Sequence, residues 1–204
     1  MNPILFPIHL FPSIEYYAYL VQAKDCLFEK EDHFQKQTYR NRYYIFSSNG
    51  KLTLNIPISH QNNSRFYKDT LISYDVNWQK NHIKSLRSAY QSSPFFEFYE
   101  DDLLPLFEKK EKFLIDFNEK TTSLVNNLLS LNIEIKKTAA YDLNTKHRDL
   151  REAFNTKQVS NNTFEPYIQV FSTEKGFIKN LSILDLLFNE GPNTTTYLEN
   201  IKLI

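Results

Sequence analysis

The sequence predicts a single α/β or α+β domain over residues 1–204, and three observations support this class. An apolar run, a helical repeat and a second apolar run open the chain, which predicts a strand-helix-strand unit. An Asn-Gly pair between two strand-like segments predicts a β-hairpin that extends the sheet. Amphipathic repeats fill the middle and predict helices packed on that sheet. The length is sufficient for one such domain with a real core.

The N-terminal unit is predicted from residues 3–28. Residues 3–8 form a short apolar run, and Ile14, Tyr17 and Leu20 follow at helical spacing. Residues 26–28 form the second apolar run. Because ligands bind beyond the carboxyl ends of parallel strands, the residues that follow this run stand where a site is expected.

The hairpin is the strongest local signal. Residues 43–46 are followed by Asn49-Gly50, a preferred hairpin turn, and then by alternating apolar residues from Leu52 to Ile58. Pro57 cannot donate a ladder hydrogen bond, so we expect the second strand to lie at an edge or to end there.

Three helices are predicted in the middle of the chain. The first begins near Asn77, the second begins at the pair Ser93-Pro94, and the third begins near Phe113 and ends near Asn132. Pro105 is expected to kink or end the second helix, because proline lacks the N–H that the helix needs.

The remaining segments have weaker patterns. Loops are predicted at 59–69 and 141–166, strands at 70–74, 133–135 and 168–171, and a final helix at 182–189. The loop at 141–166 is expected to lie over a site, since long polar loops often carry function. Asp185 follows Ser182 at the spacing of a capping box, so we expect it to cap the final helix.

Composition excludes several classes of protein. Lys plus Arg equals Asp plus Glu, at 24 each, so the chain lacks the basic footprint of a nucleic-acid binder. The single cysteine, Cys26, excludes an internal disulfide and a multi-cysteine metal site. Three glycines leave no room for a glycine-rich phosphate loop, so side chains or helix ends would have to bind a phosphate. The sequence indicates no particular cofactor.

Location is predicted from the same features. No charged and apolar signal sequence opens the chain, and no apolar run approaches the roughly 20 residues that cross a bilayer. A lone cysteine is typical of a reducing compartment. We therefore expect a cytoplasmic protein without a membrane span, and the sequence gives no indication of its oligomeric state.

The segment from Glu29 to Arg42 is the main candidate site. Acidic residues stand at its front, basic residues at its back, and His33 lies between them. This mixture of donors, acceptors and titratable groups is typical of a site for a small anionic or sugar-containing ligand.

Four residues of this segment are predicted to bind the ligand: Lys36, Arg40, Asn41 and Arg42. Arginine offers a planar fork for phosphate or carboxylate, lysine offers a point charge, and asparagine can bind hydroxyl groups. The alternative is that Arg40 or Arg42 pairs with an acidic residue of the same segment on the surface, which would contribute about 1 kcal/mol or less.

Two histidines are candidates for proton transfer. His33 and Glu29 could form a catalytic acid-base pair, since an imidazole beside a carboxylate titrates in a useful range; the alternative is a solvated histidine. His82 lies four residues after Trp78, so both are predicted on one helical face beside the ligand. The alternative there is a core tryptophan with a hydrogen-bonded histidine.

No metal site is predicted. The five histidines are not spaced as ligands, and His60 and His147 stand in polar loops without partners at ligand spacing. A mixed site of histidine and carboxylate ligands, assembled only by the fold, stays open at this point.

Seven motifs are spread nearly from end to end of the chain. They are FPSIEYY at 11–17, QKQTYRNR at 35–42, NGKLTLNIPI at 49–58, WQKNH at 78–82, AYQSSPFFEFYED at 89–101, YIQVF at 167–171 and NLSILDLLFNEGP at 180–192. As a set they are specific, and the chain resembles the WbqC-like family, in particular its shorter members from Bacteroidetes-type bacteria.

The resemblance implies a link to gene clusters for O-antigen and other surface polysaccharides, with a transfer step on a glycan precursor. It brings no settled catalytic mechanism. Longer members carry His-Gln-Pro near the N-terminus, whereas here Phe6 precedes Pro7 and His9 follows it. The role of that histidine therefore does not carry over.

Two functions from different classes follow. The leading hypothesis is a transferase or related enzyme that acts on a sugar-containing or nucleotide-linked precursor, with Arg40 and Arg42 holding anionic groups and His33 or His82 moving protons. The alternative is a non-catalytic protein of an envelope-synthesis complex that binds a carbohydrate or a partner. A histidine near a carboxylate in a deep cleft would favour the enzyme, and a shallow aromatic groove would favour the binder.

Overall fold

A small parallel sheet, a separate hairpin and surrounding helices make up the fold, and they confirm the predicted mixed α/β class. The computed structural model describes residues 3–59 and 64–204. The elements are β1 (Ile4–Pro7), α1 (Ile14–Gln22), β2 (Cys26–Glu29), β3 (Arg42–Ser47), β4 (Gly50–Asn55), α2 (Trp78–Tyr90), α3 (Phe96–Glu108), α4 (Leu114–Leu128), β5 (Arg148–Asp149), α5 (Ser172–Lys175), α6 (Ile183–Glu190) and α7 (Thr194–Asn200). His60 and the rest of 60–63, within the predicted loop at 59–69, lie outside the described residues.

The N-terminal unit has the predicted strand-helix-strand form. β1 and β2 are parallel, with Pro7 opposite Glu29 at their carboxyl ends. β5 pairs in parallel with the other side of β1. Ser13 begins α1, because its backbone is extended and its Oγ accepts a hydrogen bond from the backbone N–H of Tyr16.

The two faces of this sheet are covered differently. Phe6 and Phe28 lie on one face with ring centroids 6.0 Å apart, and Phe6 also contacts Tyr16 of α1. Leu5 and Leu27 are register partners and lie on the other face, because side chains alternate along a strand. Residues of the 138–147 segment cover that second face, and a cleft separates them from it.

The hairpin forms where the Asn-Gly pair predicts it. β3 and β4 are antiparallel, with Ser47 opposite Gly50. Gly50 has a φ of +98°, a conformation that favours glycine over other residues. The second strand ends before Pro57, as expected for a residue without an N–H donor.

α2 and α4 begin close to their predicted positions. Asn77 caps α2 by accepting a hydrogen bond from the backbone N–H of Lys80. The predicted start of the next helix at Ser93-Pro94 is wrong: α3 begins at Phe96, because the Ser93 hydroxyl donates back to the carbonyl of Tyr90. Within the described ranges, no helix is long and apolar enough to cross a membrane.

α3 continues past Pro105 to Glu108, so the proline does not end the helix. Proline removes one helical hydrogen bond, but Leu103 and Phe107 are buried on either side of it. The Phe107 ring contacts the rings of α2 and α4. Packing therefore maintains the last turn against the local preference of proline.

Two of the predicted short strands are reduced to isolated bridges. Near 70–74 only Leu71 and Ile72 make bridges, to residues outside the parallel sheet. Near 133–135 the pairing shifts along the chain to Lys137, which bridges Phe28 in parallel. The sheet is therefore extended at β2 by a contact that the apolar pattern places too early.

The predicted strand at 168–171 is also absent from the described structure, and a side chain explains why. The Gln169 amide donates to the carbonyl of Ile178 and accepts from its backbone N–H, each at 2.9 Å. These two bonds satisfy the backbone of Ile178, while the Gln169 carbonyl accepts from the backbone N–H of Ser172 at 3.0 Å in a turn. The short helix α5 follows instead.

Asp185 has other partners than the predicted capping box. Ser182 does cap α6 with its Oγ, but the fully buried Asp185 carboxylate accepts from the hydroxyls of Tyr90 and Tyr167 and the amide of Gln169. Burial raises the pKa of Asp185, and these hydrogen bonds act in the opposite direction. The carboxylate joins α6 to α2 and to the segment at 167–169.

Candidate functional site

The segment from Glu29 to Arg42 lies at the carboxyl end of the parallel sheet. Glu29 is the last residue of β2 and stands opposite the last residue of β1. The backbone N–H of Leu10, just past β1, donates to the carbonyl of Tyr39 at 2.8 Å. The segment is thereby held against the end of β1, and its charged residues divide into a buried group and an exposed group.

Glu29 belongs to the buried group, at 1 % exposed. Its Oε1 accepts from the Thr138 hydroxyl at 2.7 Å and from the backbone N–H of Glu31 at 2.8 Å. Its Oε2 accepts from Nη1 of Arg151 at 3.2 Å. The carboxylate is thus fixed by three different segments of the chain.

Arg151 ties this carboxylate to the long loop. Its Nε and Nη2 donate to the carboxylate of Asp149, and Nη2 also donates to the carbonyl of Asp142 at 2.8 Å. The Tyr141 ring covers the guanidinium, with its centroid 4.3 Å from Cζ. Hydrogen bonds to Asp149 raise the pKa of Arg151 further above its usual range, so Arg151 keeps its charge.

A second buried ion pair joins Asp32 and Arg40. Nη2 of Arg40 pairs with Oδ2 of Asp32, and the two side chains are 2 % and 7 % exposed, respectively. The Arg40 guanidinium carbon lies 5.7 Å from the ring centroid of Tyr67, and the Arg40 carbonyl accepts from Asn118 of α4 at 2.6 Å. Arg40 therefore pairs within its own segment, as the alternative reading of the sequence has it, but in the interior. These two pairs are called the inner frame: Glu29 with Arg151, and Asp32 with Arg40.

An open pocket of about 250 Å³ lies outside the inner frame. It is called the outer pocket, and its polar lining includes His33, Lys36, Ser64, Arg65, Asp69 and Thr70. Residues 32–34 pair with residues 65–67 through two backbone hydrogen bonds, Phe34 to Arg65 and Tyr67 to Asp32, each at 2.8 Å. This pairing brings Arg65 beside the predicted site segment.

Positive charge predominates in the outer pocket. The side chains of Lys36 and Arg65 have no ion-pair or hydrogen-bond partner within residues 3–59 and 64–204, whereas Asp69 accepts a hydrogen bond from Ser64 at 2.8 Å. The exposed His33 ring stacks on Phe66, with centroids 5.1 Å apart and planes at 20°. The pocket thus combines two cationic side chains, one carboxylate and the surface of the His33 ring.

Asn41 and Arg42 lie at the start of β3, and neither lines the outer pocket. The Asn41 amide donates to the carbonyl of Ile56 at 3.0 Å, and the Ile56 N–H donates to the Asn41 carbonyl at 2.8 Å. The Nε of Arg42 is enclosed and has no hydrogen-bond partner in the part of the chain that the structure describes.

Trp78 and His82 lie in the core, with ring centroids 5.1 Å apart. Nε2 of His82 donates to the carbonyl of Asn55 at 3.0 Å, and Nδ1 accepts from the Tyr43 hydroxyl at 3.2 Å. Burial lowers the pKa of His82 to about 4, so the ring is neutral at pH 7. This is the core arrangement that the sequence left open.

Several residues of the site were not found from the sequence. Thr138 and Arg151 are distant along the chain from Glu29, and no local pattern connects them. His9 is buried near Arg40, and burial together with the Arg40 charge lowers the pKa of His9 well below its usual value. Its position just after the first apolar run was a usable signal, because that position lies at the same sheet edge as Glu29.

The residues of the outer pocket are chemically suited to an anionic ligand. The outer pocket offers a lysine point charge, an arginine fork and a stacked imidazole, all suited to phosphate or carboxylate. In the described ranges, no three His, Cys, Asp or Glu side chains are grouped so that they could hold a metal ion. The inner frame, whose charges are paired, holds the segment that carries His33 and Lys36.

The chain is similar to known proteins over most of its length. A family model described as the WbqC-like protein family matches residues 8–163. The chain is 24% identical over 213 residues to the uncharacterized protein Rv1507c of Mycobacterium tuberculosis, a match that covers 90% of this chain and 91% of that protein. No solved structure matches the chain. The family match includes the inner frame and the outer pocket.

Proposed function

Because this chain belongs to the WbqC-like protein family, we propose that it acts on a phosphate-bearing precursor in the biosynthesis of a surface polysaccharide such as an O-antigen. The precursor is sugar-containing or nucleotide-linked, and the reaction is a transfer step or a related one in the cytoplasm. The observation that carries the proposal is a pair of cations in the outer pocket, Lys36 and Arg65, whose side chains have no partner among residues 3–59 and 64–204.

The chemistry of the pocket supports a phosphate group as the bound part of the precursor. Lysine binds phosphate as a point charge, and arginine binds it through two parallel N–H donors. The ring surface of His33 and Phe66 offers a place for a base or a sugar to stack. A precursor with a diphosphate next to a ring would use both features.

The proposed roles follow the division of the charges. Lys36 and Arg65 bind the phosphate, and His33 is the group available for proton transfer at the mouth of the pocket. Glu29 and Arg40 hold the segment in place through the inner frame. Ligand contacts by Asn41, Arg42, Trp78 and His82 stay predictions from the sequence.

Calorimetric titration of inorganic pyrophosphate at low ionic strength tests this proposal. We expect Lys36→Met and Arg65→Met each to weaken pyrophosphate binding about tenfold or more, since each removes a charge-assisted contact. Lys80→Met, which removes an exposed lysine of α2, is the matched control and should leave the affinity unchanged. Equal affinity in all four proteins, or no binding by the unaltered protein, would contradict the proposal.

One observation favours a second function, that of a non-catalytic binder. Among the described residues, neither the His33 ring nor the His82 ring is hydrogen-bonded to a carboxylate. A protein of an envelope-synthesis complex could use the same pocket to recognise the precursor without turnover. Incubation with a panel of nucleotide-diphosphate sugars separates the two: release of the nucleotide, lost in His33→Gln while binding persists, supports the enzyme. Binding without release supports the binder.

A further inference from the structure

The geometry points to a second ligand site, in the cleft between the parallel sheet and the 138–147 segment, for a neutral and polyhydroxylated ligand such as a pyranose. This sheet cleft has a volume of about 560 Å³, within the range of roughly 300–1,000 Å³ typical of small-molecule pockets. Its lining includes Leu5, Leu27, Glu29, Thr138, Asn144 and His147.

The floor of the sheet cleft is apolar. Leu5 and Leu27 are register partners on the sheet face opposite Phe6 and Phe28; Leu27 is only half-buried, whereas Leu5 is 2 % exposed. Ala139 and Ala140 add to this apolar surface. No Phe, Tyr or Trp lines the described cleft, so the His147 imidazole is the one ring there that a planar aromatic ligand could stack on. The C–H face of a sugar ring suits such a floor.

The rim carries groups that both donate and accept hydrogen bonds. Asn144 and Thr145 line the cleft, and hydroxyl and amide side chains match the dual character of sugar hydroxyls. Thr138 also lines it, but its hydroxyl is already bonded to Glu29. The backbone N–H of His147 donates to the Thr145 hydroxyl at 3.2 Å, which fixes the turn at this point.

His147 lines the sheet cleft and also carries a buried polar atom without a partner in the described residues. Its Nδ1 is enclosed and has no hydrogen-bond partner among the described residues, and such an orphaned polar atom calls for an explanation. The next residue, Arg148, lies over the ring of Tyr19, with Cζ 5.2 Å from the ring centroid. The His147 imidazole lines the sheet cleft, so a ligand hydroxyl there would meet a side chain that can take part in a hydrogen bond.

The charges of the sheet cleft disfavour an anion. Two carboxylates, Glu29 and Asp142, line it together with one lysine, Lys146. Glu29 is already paired with Arg151, and Asp142 accepts from the backbone N–H of Asn144 at 2.9 Å. The cleft therefore lacks the excess of cations that the outer pocket has, which points to a neutral ligand.

The two sites lie on either side of one short stretch of chain. Glu29 lines the sheet cleft, and His33 lines the outer pocket. The sheet cleft could hold the hydroxyl-bearing acceptor of a transfer reaction, and that role rests on the proposed function. As a sugar-binding site it stands on the geometry of the cleft alone.

Saturation-transfer NMR with the methyl glycosides of glucose, galactose and N-acetylglucosamine tests the site. We expect saturation transfer to at least one glycoside, and His147→Leu should weaken its binding about tenfold because the cleft loses a hydrogen-bonding side chain. Leu27→Phe, whose larger side chain should fill the sheet cleft, should abolish glycoside binding. It is the second test of the site if His147→Leu does not fold. Thermal unfolding of each variant reports on folding.

Lys36→Met is the reciprocal control, because it should weaken pyrophosphate binding and leave the glycoside signal intact. His147→Leu should show the reverse. No transfer to any of the three glycosides, or a signal unchanged in both His147→Leu and Leu27→Phe, would overturn the sugar site. If the unaltered protein bound a glycoside but not pyrophosphate, the result would count against the proposed function and not against the sugar site.

Discussion

The inner frame and the outer pocket both include residues of the segment from Glu29 to Arg42, yet they use its charges in opposite ways. Glu29, Asp32 and Arg40 are buried and paired, whereas His33 and Lys36 are exposed and have no polar side-chain partner in the described chain. Residue type did not separate the two groups, since both contain acids or bases. The difference teaches that a charged residue marks a ligand site only when its hydrogen-bonding capacity is left unused by the fold.

Arg40 is the clearest case. An arginine fork is the best single group for binding phosphate, but in this protein Asp32 and the Tyr67 ring occupy the guanidinium. Arg65 lies outside the predicted segment and keeps its side chain open to the outer pocket. The available guanidinium is therefore not the one that the sequence pattern favoured, whereas the available lysine, Lys36, is.

The largest expected effect comes from breaking the buried pair. Arg40→Met should lower the free energy of unfolding by about 3–5 kcal/mol, because it leaves the Asp32 carboxylate buried and unpaired. The double variant Asp32→Leu with Arg40→Met should recover much of that loss. Urea unfolding curves give both values.

Arg87→Met is the control for this comparison. Arg87 pairs with Glu100 on the surface, and its side chain is 53% exposed, so its loss should cost about 1 kcal/mol or less. If Arg40→Met cost no more than Arg87→Met, the inner frame would not be the stabilising unit described above.

A slightly smaller effect is expected at the other pair of the inner frame. Arg151→Met should cost about 2–4 kcal/mol, since Glu29 loses its counter-ion and the loop loses its anchor. Hydrogen exchange should then speed up at Leu150, whose N–H donates to Leu5 at 2.9 Å, more than in α2 or α6. Uniform acceleration across the chain would show that the loop does not open as a local unit.

The pairing of Glu29 with Arg151 also shows where sequence reasoning ends. The strand at 26–28 and the turn at Asn49-Gly50 were predictable because each depends on neighbouring residues. The partner of Glu29 is 122 residues away along the chain, and no spacing rule connects the two. The edge at which a site should lie could be predicted, but the contacts that occupy each charge could not.

The failed strand at 168–171 has a related cause. The apolar residues of this segment fit a strand, but Ile168 is 85% exposed and the buried residue is Gln169. One amide side chain replaces a strand partner, and such a replacement depends on the position of Ile178 in three dimensions. Local propensity therefore gave the wrong element where a polar side chain decided the pairing.

His82 extends the comparison to a buried histidine. Burial lowers the pKa of His82 to about 4, below the value near 6.5 of an unfolded chain. The unfolded state therefore binds more protons, so the contribution of His82 is fully present above about pH 6.5 and is lost as the pH falls towards 4. The expected loss is about 2 kcal/mol at pH 5.

The variant His82→Gln checks this value, because glutamine can keep hydrogen bonds to Tyr43 and Asn55 but cannot titrate. Buried His9, whose pKa is also lowered, acts in the same direction in both proteins, so only the difference between them reports on His82. The free energies of unfolding should diverge from pH 8 to pH 5 by the amount given above. Parallel curves would mean that the pKa of His82 is the same in the folded and unfolded states.

The smallest effect on stability is expected in the outer pocket, and its smallness is the point of the comparison. Lys36→Met and Arg65→Met should each change the free energy of unfolding by less than about 0.5 kcal/mol, as is usual for surface positions without partners. The same variants should flatten the salt dependence of pyrophosphate binding, since salt screens exposed charges and each variant removes one of them. A stability loss near that of Arg40→Met would mean that these cations are also consumed by the fold. Unused hydrogen-bonding capacity would then not separate the outer pocket from the inner frame, since it would fail for both Lys36 and Arg65. The phosphate site would have to lie elsewhere on the surface.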